Sequence, residues 1–282
     1  MARKLAVVTG ATSGIGLETA RGLAGLGWDL LLACRDAGRA ECVRAELAAA
    51  PSGRVEALHL DLGSLVSIRS FAAEIAGRHE SIDLLVDNAG VFCDTRRVTA
   101  DGFEMTMGVN FLGTFLLTRL LLPSMKAATP GAQSRIVIVG SAAAAFGGLH
   151  ANEGVFTEGP HGFRGYAASK LAVLLFAIDL ADELAGPGVT VNAVHPGEVA
   201  TNIWQGESLL MRIVAPAMRR RLKSPAEGAR AVLHAATAPE LEGVSGRFLS
   251  PTGDEMSPSK RYQDVELRKE LMRLAAAAVG LG

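Results

Sequence analysis

The chain has 282 residues, of which 49% are hydrophobic and 20% charged, and its formal net charge is −1 at pH 7. This balance is typical of a packed globular protein, and without a block of like charges it excludes an ordinary nucleic-acid-binding surface. Because no Gly/Ser linker or internal repeat divides the chain, we predict one domain over residues 1–282.

The cysteine content indicates a reducing compartment. The chain has three cysteines, Cys34, Cys42 and Cys93. An odd number without paired spacing fits neither a disulfide framework nor a metal site, so we predict free thiols and no metal. The first apolar run begins at Leu5, which leaves no room for a signal peptide, and the apolar stretch 111–122 is interrupted by Arg119. We therefore expect a soluble, cytoplasmic protein without a membrane partner.

Short β-rich runs alternate along the chain with longer runs of helical apolar spacing. Strands are predicted at residues 5–9, 29–33, 55–60, 84–86, 136–139, 189–194 and 247–249. Helices are predicted at residues 15–26, 40–49, 67–78, 103–125 and 166–184. The strands are almost continuously apolar, as strands buried on both faces should be. This alternation predicts an α/β fold: a doubly wound (Rossmann-type) parallel sheet of seven strands with helices on both faces.

Two stretches do not follow the alternation. The Gly-rich stretch 146–165 is predicted to be an insert beside the active site. The stretch 204–223, which contains the basic run Arg219, Arg220 and Arg221, is predicted to be a lid over the substrate.

A glycine-rich turn follows the first predicted strand, with the spacing G-x-x-x-G-x-G from Gly10 through Gly14 to Gly16. Such glycines let the backbone approach a pyrophosphate, at which the amides of the helix N-terminus point with partial positive charge. Ser13 offers a further hydroxyl donor. The alternative is an ordinary turn without a ligand. The position after strand one favours a dinucleotide site.

The end of the second strand bears on which dinucleotide binds. An NAD site usually has an acid there for the ribose 2′-OH, whereas a 2′-phosphate requires a neutral residue and a nearby cation. Neutral Cys34 followed by Arg35 favours NADP(H). Arg35 as a solvated loop residue, with Asp36 serving an NAD(H) site, is the competing interpretation.

The third strand ends in Leu60, Asp61 and Leu62. Asp61 is placed either to accept a hydrogen bond from an adenine amino group or to cap the helix that begins near Ser64.

The motif Tyr166-Ala-Ala-Ser-Lys170, together with the glycine turn, resembles the short-chain dehydrogenase/reductase family. The resemblance spans about residues 5–202 and includes further motifs in the same order. These are Asp87-Asn88-Ala89-Gly90, Asn110 in Gly-Val-Asn-Phe-Leu-Gly, Ser141, and Pro196-Gly197 with Thr201. A Tyr and a Lys four residues apart are common on exposed helices, so the specificity comes from the combination.

Within the family the chain is most similar to the retinol dehydrogenase branch and its bacterial relatives, which also implies NADP(H). The similarity lies in residues 33–36, 101–105, 134–137 and 191–197, and in an interval from Ser141 to Tyr166 about twice the common family spacing. Two positions depart from the family pattern. Asp87 stands where many members have Asn, and Gly140 stands where a second serine is frequent.

The resemblance implies a cofactor site that draws on most of these motifs. Its residues would be Gly10, Ser13, Gly14, Ile15, Gly16, Arg35, Asp61, Leu62, Asn88, Ala89, Gly90, Tyr166, Lys170, Pro196, Gly197, Val199 and Thr201.

Tyr166 and Lys170 share one helix face, so Lys170 and a positive nicotinamide ring are expected to lower the phenol pKa from about 10 towards neutrality. Tyr166 would then exchange a proton with the substrate oxygen, to which Ser141 also hydrogen-bonds. The resemblance implies that Asn110 positions a water beside Lys170; the alternative is that Asn110 caps or bridges a helix. His195 is interpreted as structural rather than as an acid or base.

These features predict an oxidoreductase that transfers a hydride between NADP(H) and a lipophilic alcohol or carbonyl compound. The alternatives are a ketoreductase acting on a polycyclic product of secondary metabolism and a non-catalytic NADP(H)-binding sensor. The presence of Tyr, Lys and Ser argues against the sensor. The outer faces of the predicted helices 103–125 and 166–184 are candidate contacts in a homodimer or homotetramer.

Overall fold

The computed structural model describes residues 3–49, 53–126, 133–152, 154–199, 222–256 and 260–281. A seven-stranded sheet in the order β3-β2-β1-β4-β5-β6-β7 forms its centre, and all pairings between these strands are parallel. The strands are β1 (Leu5–Thr9), β2 (Asp29–Cys34), β3 (Val55–His59), β4 (Leu84–Asp87), β5 (Ser134–Val139), β6 (Val189–Val194) and β7 (Phe248–Leu249). The doubly wound fold predicted from the apolar pattern is thereby confirmed.

Helices lie on both faces of the sheet. They are α1 (Gly14–Gly25), α2 (Ala37–Ala48), α3 (Leu65–Arg78), α4 (Met105–Met107), α5 (Thr114–Lys126), α6 (Gly162–Glu183), α7 (Pro225–Thr237) and α8 (Val265–Ala278). A π-helical segment, Gly108–Gly113, joins α4 to α5, and a 3-10 helix spans Ala142–Phe146. The last two helices were not predicted, although Ser224 and Glu227 form a complete capping box at the start of α7.

Two apolar cores flank the sheet. One contains Phe71, Phe115 and Phe176 from α3, α5 and α6. The other contains Leu23 of α1 and Val232 of α7, and these two helices approach closely at position 22, where the residue is glycine. A Cβ there would lie 2.4 Å from Leu233 Cδ1. Strands β1 and β4 are completely buried. They end at the point where the strand order reverses, which is where doubly wound sheets bind ligands.

The segment Met105–Met125 is long and apolar enough to cross a membrane, but 83% of its apolar window is buried inside the protein. Central helices of globular proteins meet the same criterion. Helix α6 is also buried along most of its length and contacts α8, where Arg268 lies 2.7 Å from Asp182. The outer face of α6 proposed for subunit contacts is therefore exposed only near its two ends, and the homo-oligomer stays a prediction.

The end of β4 carries a buried carboxyl group. Asp87 is 5% exposed, and burial raises its pKa to about 7, against the opposite effect of a hydrogen bond with Thr118. Thr118 Oγ1 lies 2.8 Å from Asp87 Oδ2 and also 2.8 Å from the Thr114 carbonyl oxygen. A hydroxyl has only one proton to donate. The Thr118 hydroxyl therefore shares one proton between the Asp87 carboxylate and the Thr114 carbonyl, and protonation of Asp87 would end this competition by letting Asp87 donate to Thr118.

Candidate active site

A cavity of about 750 Å³ opens at the carboxyl ends of the strands. It brings together sixteen residues predicted from sequence: Gly10, Ser13, Gly14, Ile15, Arg35, Asp61, Leu62, Asn88, Ala89, Gly90, Ser141, Tyr166, Lys170, Pro196, Gly197 and Val199. Gly16 and Asn110 lie directly behind this lining, in contact with Asn88 and Val91. Thr201 and residues 204–221 of the proposed lid lie outside the described residues. Sequence reasoning missed further lining residues, among them Thr12, Arg39, Phe92 and Val109.

The glycine turn has the geometry of a phosphate cradle. Gly10 and Gly14 have φ values of +66° and +59°, a region that residues with a Cβ rarely adopt. The Ser13 side chain makes no capping hydrogen bond to α1 among the described residues. The free amides of the first helical turn and the Ser13 hydroxyl are therefore available to a phosphate.

The turn is held against the end of β4. Thr9 Oγ1 accepts hydrogen bonds from the backbone amides of Asn88 at 2.9 Å and Ala89 at 3.0 Å. The Asn88 side chain in turn donates to the Thr9 carbonyl at 2.9 Å. A Cβ on Gly16 would lie 2.4 Å from Asn88 Nδ2 and 2.5 Å from the Gly10 oxygen. This close approach explains why glycine occupies position 16.

Replacing Gly16 with Ala is therefore expected to displace Asn88 or the turn, because the two contacts are far inside van der Waals distance. We expect a loss of about 1–3 kcal/mol in the free energy of unfolding and at least a tenfold increase in the dissociation constant of the dinucleotide, both measured on the purified variant. Gly25 lies in the same helix, and a Cβ added to it would have no described atom within 4 Å, so Gly25→Ala is the matched control. Equal stability and affinity in both variants would contradict the assignment.

The far end of the cavity, beside the end of β2, is lined by Cys34, Arg35, Asp36 and Arg39. Cys34 is buried, and burial raises the pKa of its thiol to about 11, so it is neutral at pH 7. Asp36 caps α2 by accepting from the Arg39 amide at 3.0 Å, and its carboxylate lies 3.3 Å from the Arg39 guanidinium. Arg35 and Arg39 both line the cavity with exposed side chains. Two guanidinium groups and one carboxylate therefore lie at this end of the cavity.

The structure also bears on the two interpretations of Asp61. Ser64, not Asp61, caps α3, because Ser64 Oγ accepts from the Ser67 amide at 3.3 Å. Asp61 Oδ1 accepts from the Gly63 amide at 2.9 Å and the residue lines the cavity. Its carboxylate thus holds its own turn at the cavity wall, and its contact with an adenine amino group stays a prediction.

Ser141 and Tyr166 are brought together from the end of β5 and the first turns of α6. The Ser141 hydroxyl accepts from the Ala143 amide at 3.2 Å and forms a hydrogen bond with Tyr166. Tyr166 is 6% exposed, and its ring meets Phe92 edge-on with the ring centroids 5.9 Å apart. The two hydroxyls face the cavity as a pair, which is what one substrate oxygen needs.

Lys170 lies one helical turn beyond Tyr166 and is 5% exposed. Its Nζ donates to the Val139 carbonyl at 2.8 Å and lies 5.9 Å from the centroid of the Tyr166 ring. Burial lowers the pKa of Lys170 to about 8. At pH 7 the amine therefore still carries most of its charge, which it loses as the pH rises through 8.

The neighbouring Lys170 does not by itself lower the pKa of Tyr166, and the effect expected of a positive nicotinamide ring stays a prediction. Burial raises the pKa of Tyr166 to about 12, and the hydrogen bond with Ser141 offsets only part of this effect. Charged phenolate is costly away from water, and Lys170 directs its Nζ to a backbone carbonyl. Tyr166 therefore holds its proton at pH 7.

Asn110 lies in the π-helical segment, a distortion often found at functional sites. Its Oδ1 accepts from the Val91 amide at 2.7 Å, and its Nδ2 donates to the Val91 carbonyl and to Ser169 Oγ, both at 3.0 Å. Ser169 Oγ donates to the Tyr166 carbonyl at 2.8 Å. Asn110 thus bridges the loop after β4 to α6, in agreement with the bridging alternative.

His195 lines the cavity without a described hydrogen-bond partner for its buried Nδ1. Burial lowers its pKa, so the imidazole is neutral at pH 7. Its backbone amide donates to the Leu249 carbonyl at 2.8 Å, which ties β6 to β7.

The sequence is similar to a known protein family and to curated members of it. Residues 4–209 match the family model described as short chain dehydrogenase. Mouse polyprenol dehydrogenase is 41% identical over 290 residues, covering 99% of this chain and 84% of that protein. Human retinol dehydrogenase 13 is 38% identical over 285 residues, covering 99% and 85%.

The fold is shared with solved structures. The crystal structure of an uncharacterized protein from Mycobacterium paratuberculosis superposes with a TM-score of 0.75 at 30% identity, covering 99% of this chain and 94% of that one. The family match, the full-length similarity and the Ser141, Tyr166 and Lys170 geometry agree. The chain belongs to the short chain dehydrogenase family, in the group similar to retinol dehydrogenases, whose members are oxidoreductases that transfer a hydride using nicotinamide cofactors.

Proposed function

We propose that this protein reduces lipophilic aldehydes or ketones with NADPH, with Tyr166 as the proton donor, and that it catalyses the reverse oxidation of the alcohols. The observation that carries the proposal is the hydrogen-bonded pair of Ser141 and Tyr166 hydroxyls on the cavity wall, with Lys170 buried beneath it. We further propose that the chain works as one domain in the cytoplasm.

The residues of the cavity fit a dinucleotide. The turn from Gly10 to Gly16 would hold the pyrophosphate, and Asn88 to Gly90 would line the ribose, with Pro196 to Val199 at the nicotinamide end. The unpartnered Nδ1 of His195 and the open amides of α1 are polar groups that a ligand would satisfy. The cofactor, when bound, supplies or accepts the hydride.

Tyr166 has the protonation state that reduction requires. A phenol with a pKa of about 12 keeps its proton at pH 7 and can give it to a carbonyl oxygen as negative charge develops there. Ser141 donates a second hydrogen bond to the same oxygen and stabilises that charge. For oxidation, the positive charge of the oxidised nicotinamide and a protonated Lys170 would favour the phenolate. Tyr166 thus acts as the general acid in carbonyl reduction and as the general base in alcohol oxidation.

Cofactor preference is expected to depend on Arg35 and Arg39, because hydrogen bonds to a phosphate are charge-assisted and worth about 1.5–3 kcal/mol each. Replacing both with Ala should raise the KM for NADPH by about 10- to 100-fold or more and change the KM for NADH far less. Arg44, on the same helix and 2.6 Å from Glu41, provides the control variant Arg44→Ala.

Steady-state kinetics with both cofactors separates the outcomes. An equal loss for NADPH and NADH would contradict the placement of the 2′-phosphate. Faster turnover with NADH by the unmodified protein would restore Asp36 as the residue that reads the ribose.

The substrate class is supported by the apolar lining near the catalytic pair and by relatives named for retinol and polyprenol, both lipophilic alcohols. The test is NADPH oxidation with a panel that contains retinal, farnesal, a polycyclic aromatic ketone and charged glyoxylate. We expect turnover of the first two and none of glyoxylate. Turnover of the polycyclic ketone alone would favour the ketoreductase alternative, and no turnover with tight NADPH binding would favour a sensor.

A further inference from the structure

The rim of the catalytic cavity carries an unusual aromatic surface. All ten phenylalanines of the chain lie within the described residues, and eight of them are buried or half-buried. The exceptions are Phe146 and Phe163, which are 74% and 50% exposed. Both line the catalytic cavity, and their ring centroids lie 6.2 Å apart with the rings tilted by 50°. We call these two residues the aromatic rim.

The backbone around the catalytic pair determines where the rim stands. Phe163 lies three residues before Tyr166 in α6, on the same helix face and roughly 5 Å along the helix axis. Phe146 ends the 3-10 helix that Ser141 caps, about 10 Å along that helix from the serine. The amide of Gly162, which has a φ of +64°, donates to the Cys93 carbonyl at 2.9 Å and fixes the start of α6. The rim is thus a fixed distance from the reacting hydroxyls.

Building on the proposed function, we propose that Phe146 and Phe163 determine substrate specificity by binding the extended apolar tail of the substrate as it leaves the cavity. Covering an exposed aromatic ring with apolar surface is favourable, because it removes the ring from water. The rim is continuous with the cavity that holds the reacting group, so a long tail covers both rings and a short one ends before it reaches them. Substrates with a reactive group at one end of a long flexible chain are therefore preferred over short or compact ones.

The size of the rim argues against a second protein as its occupant. Two partly exposed phenylalanine rings offer at most a few hundred Å², whereas each partner in a stable protein interface buries about 800 Å². A hydrocarbon chain is covered well by an area of this size.

The test measures kcat and KM with NADPH for straight-chain aldehydes from butanal to dodecanal. In the unmodified protein, each methylene that contacts the rim should improve kcat/KM about two- to fourfold. In the double variant Phe146→Ala, Phe163→Ala, the preference for dodecanal over butanal should fall at least tenfold, with the loss in KM because the tail contact exists in both the ground and transition states. Val66 on α3 is 72% exposed and away from the cavity, so Val66→Ala should keep the preference.

Calorimetric binding of dodecanol and butanol to the NADP⁺-loaded protein separates this proposal from the proposed function. If the protein turns over no aldehyde but the double variant binds dodecanol at least tenfold more weakly, the proposed function fails and the rim proposal stands. A preference for dodecanal that stays within twofold in the double variant overturns the rim proposal. The same applies if the double variant loses only its binding to phosphatidylcholine vesicles, because the rim would then contact a membrane surface instead of the substrate.

Discussion

Replacing Tyr166 with Phe should lower kcat/KM for carbonyl reduction by about 10²- to 10⁴-fold, the usual contribution of a positioned general acid. The variant removes one hydroxyl and leaves the ring, whose edge contact with Phe92 and position in α6 are retained. We therefore expect an unchanged thermal unfolding temperature and an unchanged dissociation constant for NADPH, measured by fluorescence titration. Under these conditions the decrease in kcat/KM arises from the chemical step and not from weaker cofactor binding or a less stable fold.

The chain contains a second tyrosine that serves as the control. Tyr262 is 5% exposed, and its ring stacks on Phe248 with the centroids 6.3 Å apart. Burial raises its pKa to about 12, as it does for Tyr166, but Tyr262 does not line the catalytic cavity. Tyr262→Phe should keep its activity. Full activity of Tyr166→Phe would refute the assigned proton donor.

Replacing Asp87 with Asn should stabilise the protein more at pH 8 than at pH 5. The pKa of Asp87 is about 7 in the folded chain and about 3.8 in the unfolded chain. Because the folded state binds the Asp87 proton more tightly than the unfolded state does, the proton stabilises the fold. This contribution to the free energy of unfolding is fully present below about pH 4 and is lost as the pH rises through 7. The loss approaches about 4 kcal/mol above pH 7. Asn has no ionisable group at this position, so the variant does not suffer this loss of stability at high pH.

The geometry supports the substitution. An Asn amide can donate to Thr118 Oγ1 while Thr118 donates to the Thr114 carbonyl, as the protonated Asp87 does. Urea unfolding at the two pH values should show a stability gain about 3 kcal/mol larger at pH 8. Exposed Glu80 provides the control Glu80→Gln, which should show no such difference. A pH-independent loss of stability in Asp87→Asn would show that the carboxylate is charged in the folded protein.

Much of the fold was predictable because its signals are local. Each strand buried on both faces is an apolar run, so β1 and β6 were predicted with their observed limits. Helices α7 and α8 were missed although both are clearly amphipathic. Their caps were readable: Ser224 begins α7 with a capping box, and Asp264 accepts from the Leu267 amide at the start of α8.

For the site, the sequence by itself determined the candidate catalytic and cofactor-binding residues and the strands that they follow. Because parallel strands have their carboxyl ends at one edge of the sheet, it also determined that these residues lie near one another. It identified Tyr166, Lys170 and the glycine turn. Only the tertiary structure decided the protonation of Tyr166 and Asp87, because burial depends on neighbours far away in the chain.

The same reason applies to contacts between distant segments. Arg39 joins Arg35 at the cavity because α2 begins beneath the end of β2, and Asn110 bridges Val91 to α6 through side-chain atoms that no spacing rule locates. The aromatic rim is likewise formed by two segments that pack together only in the folded chain. Apolar periodicity predicts which face of a helix or strand is buried. The protonation of a side chain and the shape of a site depend instead on the residues that the tertiary fold packs around them.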